Sequence, residues 1–299
     1  NAILEGMTWL GLEYDEGPIY QTKRFDRYKV IIDQLLDSGH AYKCYCSKER
    51  LEELREGQMA RKEKPRYDGH CRGGAEAPAP DAPYVIRFRN PLDGDVVIDD
   101  LIRGRVVFKN SELDDLIIAR SDGSPTYNLS VVVDDADMNI THVIRGEDHL
   151  SNTPKHVLLF RALGAAPPVF AHLPLILNPD RSKMSKRKIQ TAVDAYREQG
   201  YVKEAIVNHL ALLGWSSGDD EDLFSLAQLE QRFDLARVQP SGAVFDAERL
   251  AEARGFGLKT GFLFSCGSSV PTMSSCSERA ASICQLNPGA PGSCQPRAG

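Results

Sequence analysis

The feature that most constrains this chain is a strand, a helix and a second strand in immediate succession, closed by a basic loop. "ITHVIRGED" (140–148) reads as a strand ending in a polar cluster. In "NTPKHVLLFRALG" (152–164), Thr153 is placed to cap a helix, Pro154 sits at its first position and Gly164 closes it. "VFAHLPLIL" (169–177) is a further strand, and "RSKMSKRK" (181–188) follows directly. This order predicts doubly wound α/β organisation, in which ligands bind outside the carboxyl ends of the strands. "PTYNLSVVVDD" (125–135) reads as one more continuous apolar strand, of the kind buried in such a sheet. The basic loop puts five cationic side chains into eight positions of a chain with formal net charge −6. Taken alone, such a run is a solvated face. At the end of a strand it suits a polyphosphate.

The flanks are of a different texture. "RFDRYKVIIDQLLDSG" (24–39) spaces Phe25, Tyr28, Ile31, Ile32, Leu35 and Leu36 for a helix with Gly39 at its C-cap, and Ser47 is placed to cap a second helix over 47–62. After the Gly/Pro/Ala loop "GGAEAPAPDAP" come β-rich runs at 84–90, 94–110 and 115–123. From Thr191 to about Arg254 the pattern turns helical, with a capping box at Ser225 and Gln228. Residues 255–299, rich in Gly, Ser, Cys and Pro, break this pattern abruptly. They read as a tail without a core, of non-native coding origin or disordered. No apolar run is long enough to cross a bilayer, and no secretion signal opens the chain. A reduced, cytoplasmic setting is therefore expected, and metal binding outranks disulfides for Cys44, Cys46 and Cys71.

Chemistry converges on the strand ends. Arg145, Glu147, Asp148, His149 and the 183–187 loop are placed to share one crevice. A guanidinium there is suited to hold a carboxylate, and lysines on a Ser/Met loop are suited to neutralise charge developing on phosphates. "KMSKR" (183–187), with its surroundings "DGSPTYNLSVVVDDADMNITHVIRGEDHLSNTPKHVLLFRALG" and "HLPLILNPDRSKMSKRK", resembles the class I aminoacyl-tRNA synthetases, and among them bacterial glutamyl-tRNA synthetase, over residues 1 to about 250.

The resemblance implies a Rossmann-type catalytic domain over 1–190 with an inserted acceptor-binding subdomain at about 20–115. A helical segment over 191–254 would lead to an anticodon-binding domain. It implies ATP-dependent activation of L-glutamate, transfer to tRNA(Glu), Mg²⁺ accompanying the ATP, and a monomer with no membrane partner. Lys183, Ser185, Lys186 and Arg187 match the loop that stabilises the triphosphate. Tyr127, Arg145, Asp148 and His149 match glutamate-pocket positions, with Arg145 pairing to the side-chain carboxylate. Leu175 and Ile176 match the strand whose backbone contacts adenine. A buried Arg favours Glu, since Gln would leave its charge unpaired.

Cys44-x-Cys46 and, after 24 intervening residues, Cys71 match a zinc-binding insertion found in some members. Gly73 stands where that insertion has its fourth ligand, a His. His70 or Tyr67 remains as a substitute, so one structural Zn²⁺ and buried free cysteines both stay open. The family's other signature, a HIGH-type tetrapeptide, has no counterpart here. On this reading the chain begins inside the catalytic domain and is expected not to charge tRNA by itself. A glutamyl-queuosine tRNA synthetase-like paralogue and a catalytically dead tRNA-binding relic are the alternative readings.

Overall fold

Helices form where apolar residues recur at helical spacing behind a residue that caps them. In the computed structural model, which describes residues 2–184 and 193–252, α1 (Ala2–Leu10) precedes α2 (Phe25–Asp37). Tyr28, Ile31, Ile32 and Leu35 of α2 are buried, whereas Phe25, in its first turn, is exposed. Gly39, with φ 74°, takes the left-handed position that ends the helix. After β1 (Ala41–Cys44), the Ser47 hydroxyl accepts the N–H of Arg50 and starts α3 (Lys48–Ala60). The β-rich runs form β2 (Val85–Phe88), β3 (Asp95–Asp100), β4 (Gly104–Lys109) and β5 (Ile117–Ala119). Strands β1, β2 and β5 make an antiparallel sheet in that order, and β3 and β4 a hairpin with Val96 opposite Phe108.

Residues 125–135 are not the buried strand expected from their apolar run. They open the helix α4 (Tyr127–Asp137). Leu129, Val132 and Val133 are buried at helical spacing, so packing against the core overrides the β preference of three consecutive valines.

The strand–helix–strand succession forms as expected: β6 (His142–Gly146), α5 (Thr153–Ala162) and β7 (Val169–Leu173). The two strands are parallel, with Arg145 opposite His172. Thr153 does not cap α5; Asn152 holds the cap position without a side-chain bond, and the Thr153 hydroxyl is committed to Arg145 and His172. Gly164, with φ 69°, closes the helix. The single strand expected over 169–177 is two. Pro174, lacking an N–H, ends the pairing of β7, and β8 (Ile176–Leu177) turns away to pair in parallel with β9 (Ala243–Val244). Between these lie α6 (Val193–Glu198), α7 (Lys203–Ala211) and α8 (Leu226–Arg232), and α9 (Ala247–Glu252) follows β9. The Ser225–Gln228 capping box is present on α8.

One core joins α2, the small sheet, the β3–β4 hairpin, α4, α5 and β7 through residues such as Tyr28, Phe88, Val96, Leu129, Leu159 and Phe170. Each such side chain contributes about 1.5–3 kcal/mol by leaving water. β6 joins this core through Val143 and through its pairing with β7, against which β3 packs. Ser185, Lys186, Arg187 and the tail 255–299 lie outside the described residues. Among the described residues no helix is long and apolar enough to cross a membrane.

Candidate functional site

The crevice is built around Arg145, the fourth residue of β6. The chain then turns through a short 3-10 segment, Glu147–Asn152, into α5, which brings Asp148, His149, Thr153 and His156 around the guanidinium. The start of α4 supplies Tyr127 and Asn128 from the other side, and β7 supplies His172 from below. Tyr127, half exposed, has its ring 6.1 Å from both His149 and His156, centroid to centroid.

Arg145 is half-buried and held by neutral acceptors. Its Nη2 donates to the Thr153 hydroxyl at 2.9 Å and to the His149 carbonyl at 3.4 Å, and its Nε donates to His172 Nε2 at 3.3 Å. Nη1 lies 3.4 Å from His156 Nδ1. Among the described residues no carboxylate forms an ion pair with it. Burial pulls its pKa below the ordinary value, against the opposing fields of Tyr127, Asp135 and Asp148. The same environment acts on its neighbours. Burial, then the Arg145 charge, pushes His156 down to about 3, and burial raises Asp135. His156 Nε2 faces the Asn128 carbonyl oxygen at 2.9 Å, which leaves Nδ1 as an acceptor toward Arg145.

His172 is fully buried, and its Nδ1 lies 2.5 Å from Asp100 Oδ2, at the end of β3. Glu147 reaches the other way. It accepts the N–H of Leu175 at 3.2 Å and pairs with Arg103 in the hairpin turn. The Leu175 carbonyl accepts the N–H of Ala243, and the Ile176 carbonyl accepts that of Met184, so this backbone is already engaged. Lys183, paired with Leu177 through an isolated bridge, reaches Asp148 Oδ2 at 3.4 Å and is exposed.

The structure thus brings Tyr127, Arg145, Asp148, His149 and Lys183 around one crevice, with Leu175 linked to it through Glu147. The sequence reading missed Asn128, His156, His172 and Asp100. A histidine inside each apolar run, "PKHVLLF" and "VFAHL", was the available signal, because a buried imidazole requires a partner.

A second cluster lies in the small sheet. The thiols of Cys44, Cys46 and Cys71 sit within 4.8 Å of one another, two of them buried. His70 is not among the grouped ligands; its backbone N–H bonds to Asp68 instead. Tyr67 is the neighbour at hand. Its hydroxyl lies 3.4 Å from Cys44 Sγ and 3.7 Å from Cys46 Sγ, and accepts the N–H of Cys71 at 2.9 Å. Burial opposes the Cys44 thiolate, but hydrogen bonds from Tyr67 and the Cys46 backbone and the Arg87 charge hold its pKa below the ordinary value. Burial pushes Cys46 up to about 11. Packed thiols of this kind suit a tetrahedral Zn²⁺, whose charge would deprotonate them.

Comparison with known proteins identifies the family and the fold. The pattern of the family described as "tRNA synthetases class I (E and Q), catalytic domain" matches residues 1–252. Glutamate--tRNA ligase 1 of Alkalilimnicola ehrlichii is 61% identical over 250 residues, which is 84% of this chain and 53% of that protein. The enzyme of the same name from Nitrosococcus oceani is 60% identical over the same shares. The chain thus spans about half the length of the curated relatives it matches. A crystal structure of a glutamate tRNA ligase from Elizabethkingia meningosepticum in complex with its amino acid superposes with TM-score 0.79 at 32% identity, over 95% of this chain and 62% of the other. The Elizabethkingia anophelis enzyme gives TM-score 0.79 at 33%, over 95% and 63%. A chain that matches this pattern over 1–252 and folds as these enzymes do belongs to the E and Q class I tRNA synthetase family.

Proposed function

We propose that this chain carries the glutamate-activating part of a glutamate--tRNA ligase, joining L-glutamate to ATP as the adenylate and passing it to tRNA(Glu). The observation that carries the proposal is the guanidinium of Arg145. It is half-buried, fixed by neutral acceptors and without a carboxylate partner among the described residues. A desolvated cation of this kind favours a ligand that supplies a carboxylate, and it discriminates against the isosteric amide. Tyr127, Asp148 and His149 would bound the amino acid, and His149 Nδ1, buried without a partner among the described residues, is a polar group left for a ligand.

Lys183, with Ser185, Lys186 and Arg187 beyond it, would stabilise the triphosphate, and the strand carrying Leu175 and Ile176 would border the adenine. Mg²⁺ would travel with the ATP. The small sheet, with one Zn²⁺ held by Cys44, Cys46, Cys71 and Tyr67 as the available fourth partner, would serve the tRNA acceptor end and not the chemistry, because a closed structural site leaves no open coordination position. The relatives named glutamate--tRNA ligase support this reading over a glutaminyl or queuosine-directed enzyme.

The test is a calorimetric titration of the 299-residue chain with L-glutamate and, separately, L-glutamine. Binding is read directly because it reports on the Arg145 pocket alone, apart from the later steps of tRNA charging. Glutamate is expected to bind and glutamine to bind about tenfold or more weakly, with Arg145→Gln abolishing the preference; losing one partner of a desolvated charge pair costs about 2–5 kcal/mol. Equal affinity for the two amino acids would overturn the assignment.

A further inference from the structure

The orientation of Arg145 is set at a distance. His172 is fully buried on β7, 72 positions along the chain from Asp100, and the Nδ1–Oδ2 separation is 2.5 Å. The second oxygen of Asp100 is anchored by three backbone donors: Arg103 N–H at 2.9 Å, Ile102 N–H at 3.0 Å and His172 N–H at 3.2 Å. Those bonds fix which oxygen faces the imidazole. A carboxylate only accepts, so Nδ1 carries the proton and Nε2 presents its lone pair. On that side stand the Thr153 hydroxyl at 3.0 Å and Arg145 Nε at 3.3 Å, while Thr153 in turn accepts from Arg145 Nη2 at 2.9 Å. Both groups have a proton to give, and the lone pair receives them. The Leu101 N–H bond to the Phe170 carbonyl, at 3.0 Å, pins the hairpin end to β7 and keeps Asp100 in reach.

We infer that Asp100 and His172 are positioning residues that act through the imidazole tautomer, holding the Arg145 guanidinium in the plane and direction needed to receive a substrate carboxylate. This rests on the reading of Arg145 as the glutamate-binding cation. The inserted hairpin, otherwise remote from the amino acid, thereby takes part in specificity. Asp100→Asn makes the device visible. The three backbone donors keep the amide oxygen where Asp100 Oδ1 was, so the NH₂ faces Nδ1. Two donors then confront each other, and the imidazole shifts to the Nε2–H tautomer. A donor now points at the guanidinium, which loses its acceptor and turns.

The experiment uses the full chain, with the histidine tautomers read by ¹⁵N chemical shifts and L-glutamate affinity by calorimetry. The wild type is expected to show His172 as Nδ1–H, and Asp100→Asn as Nε2–H with glutamate bound about tenfold or more weakly, since small misplacement of a positioning group costs up to about 10²-fold. His172→Asn keeps a donor for Asp100 but offers Arg145 no acceptor, and is expected to lose the same affinity. His172→Gln places an oxygen near the Nε2 site and is expected to recover most of it; a purely structural role would not separate these two. If Asp100→Asn does not fold, the Asn/Gln pair at His172 decides. A wild type that binds no glutamate overturns the glutamate pocket, and this inference with it. A wild type that binds glutamate, with both His172 variants within twofold of it, overturns the positioning role alone.

Discussion

His156 makes the fold acid-sensitive before it makes the pocket so. The side chain is 2% exposed, donates from Nε2 toward Asn128 and keeps Nδ1 bare toward Arg145. Burial, then the Arg145 charge, holds its pKa at about 3. In the unfolded chain it returns to about 6.5. The folded value is the lower one, so its contribution to stability is fully present above about pH 6.5 and is lost as pH falls toward 3. At pH 5 the unfolded imidazole is almost wholly protonated and the folded one about one part in a hundred, so the linkage amounts to about 2 kcal/mol lost relative to pH 7.5. That is a sizeable share of a stability of about 5–15 kcal/mol. Burial lowers His172 and His209 as well, which adds to the total loss. The decisive quantity is therefore the difference between wild type and His156→Gln, in which these shared contributions cancel. Urea unfolding at both pH values, followed by tryptophan fluorescence, should show the variant losing about 2 kcal/mol less than wild type between pH 7.5 and 5. Glutamate affinity of the folded chain should not move through His156 over that window. Equal acid losses in the two proteins would refute the buried neutral histidine.

Three further outcomes follow from other contacts. Purified chain should carry one zinc, and chelation should lower the thermal midpoint by about 5–10 °C, the equivalent of about 2.7 kcal/mol at a hundredfold excess over Kd; Tyr67→Phe should weaken the metal, and an unchanged affinity would remove the hydroxyl from the ligand set. Glu147→Gln should cost about 1–3 kcal/mol in urea unfolding, because it breaks the pair with Arg103, and should speed amide exchange at Leu175, whose N–H it holds. Asp134→Asn should cost about 3–5 kcal/mol, since that buried carboxylate accepts from Gln21, Arg24 and Tyr28 together; a midpoint equal to wild type would contradict a buried charge pair.

Much of the local structure was legible because its causes are local. Ser47, Gly39, Gly164 and the Ser225–Gln228 box act within a turn of themselves, and each ends or starts a helix as its chemistry requires. The errors have non-local causes. Three valines in 131–133 are compatible with a strand, and only the shape of the core around Leu129, Val132 and Val133 makes them a helix. Thr153 is a good cap by composition, but a buried guanidinium and imidazole compete for the same hydroxyl and win. Pro174 was visible, yet the partner that β8 turns to, β9, lies more than sixty residues on.

The site divides along the same line. Arg145, Asp148 and His149 share one short segment, so a motif carries them together. Asp100 and His172 come from a hairpin and a parallel strand that meet only in the folded chain, and no spacing links them. What the sequence does carry is the demand for such partners. His156 within "PKHVLLF", His172 within "VFAHL" and Asp134 at the end of "VVVDD" are polar groups in apolar runs, and each is at most 5% exposed. An unpartnered polar group at such depth costs about 1–3 kcal/mol, more if charged. Each therefore requires a partner on chemical grounds alone, and the partners found are Asn128 with Arg145, Asp100 with Thr153, and Arg24 with Tyr28. Two of the three converge on one guanidinium. Two buried histidines beside an arginine that pairs with no carboxylate among the described residues are the electrostatic arrangement that the proposed glutamate pocket calls for.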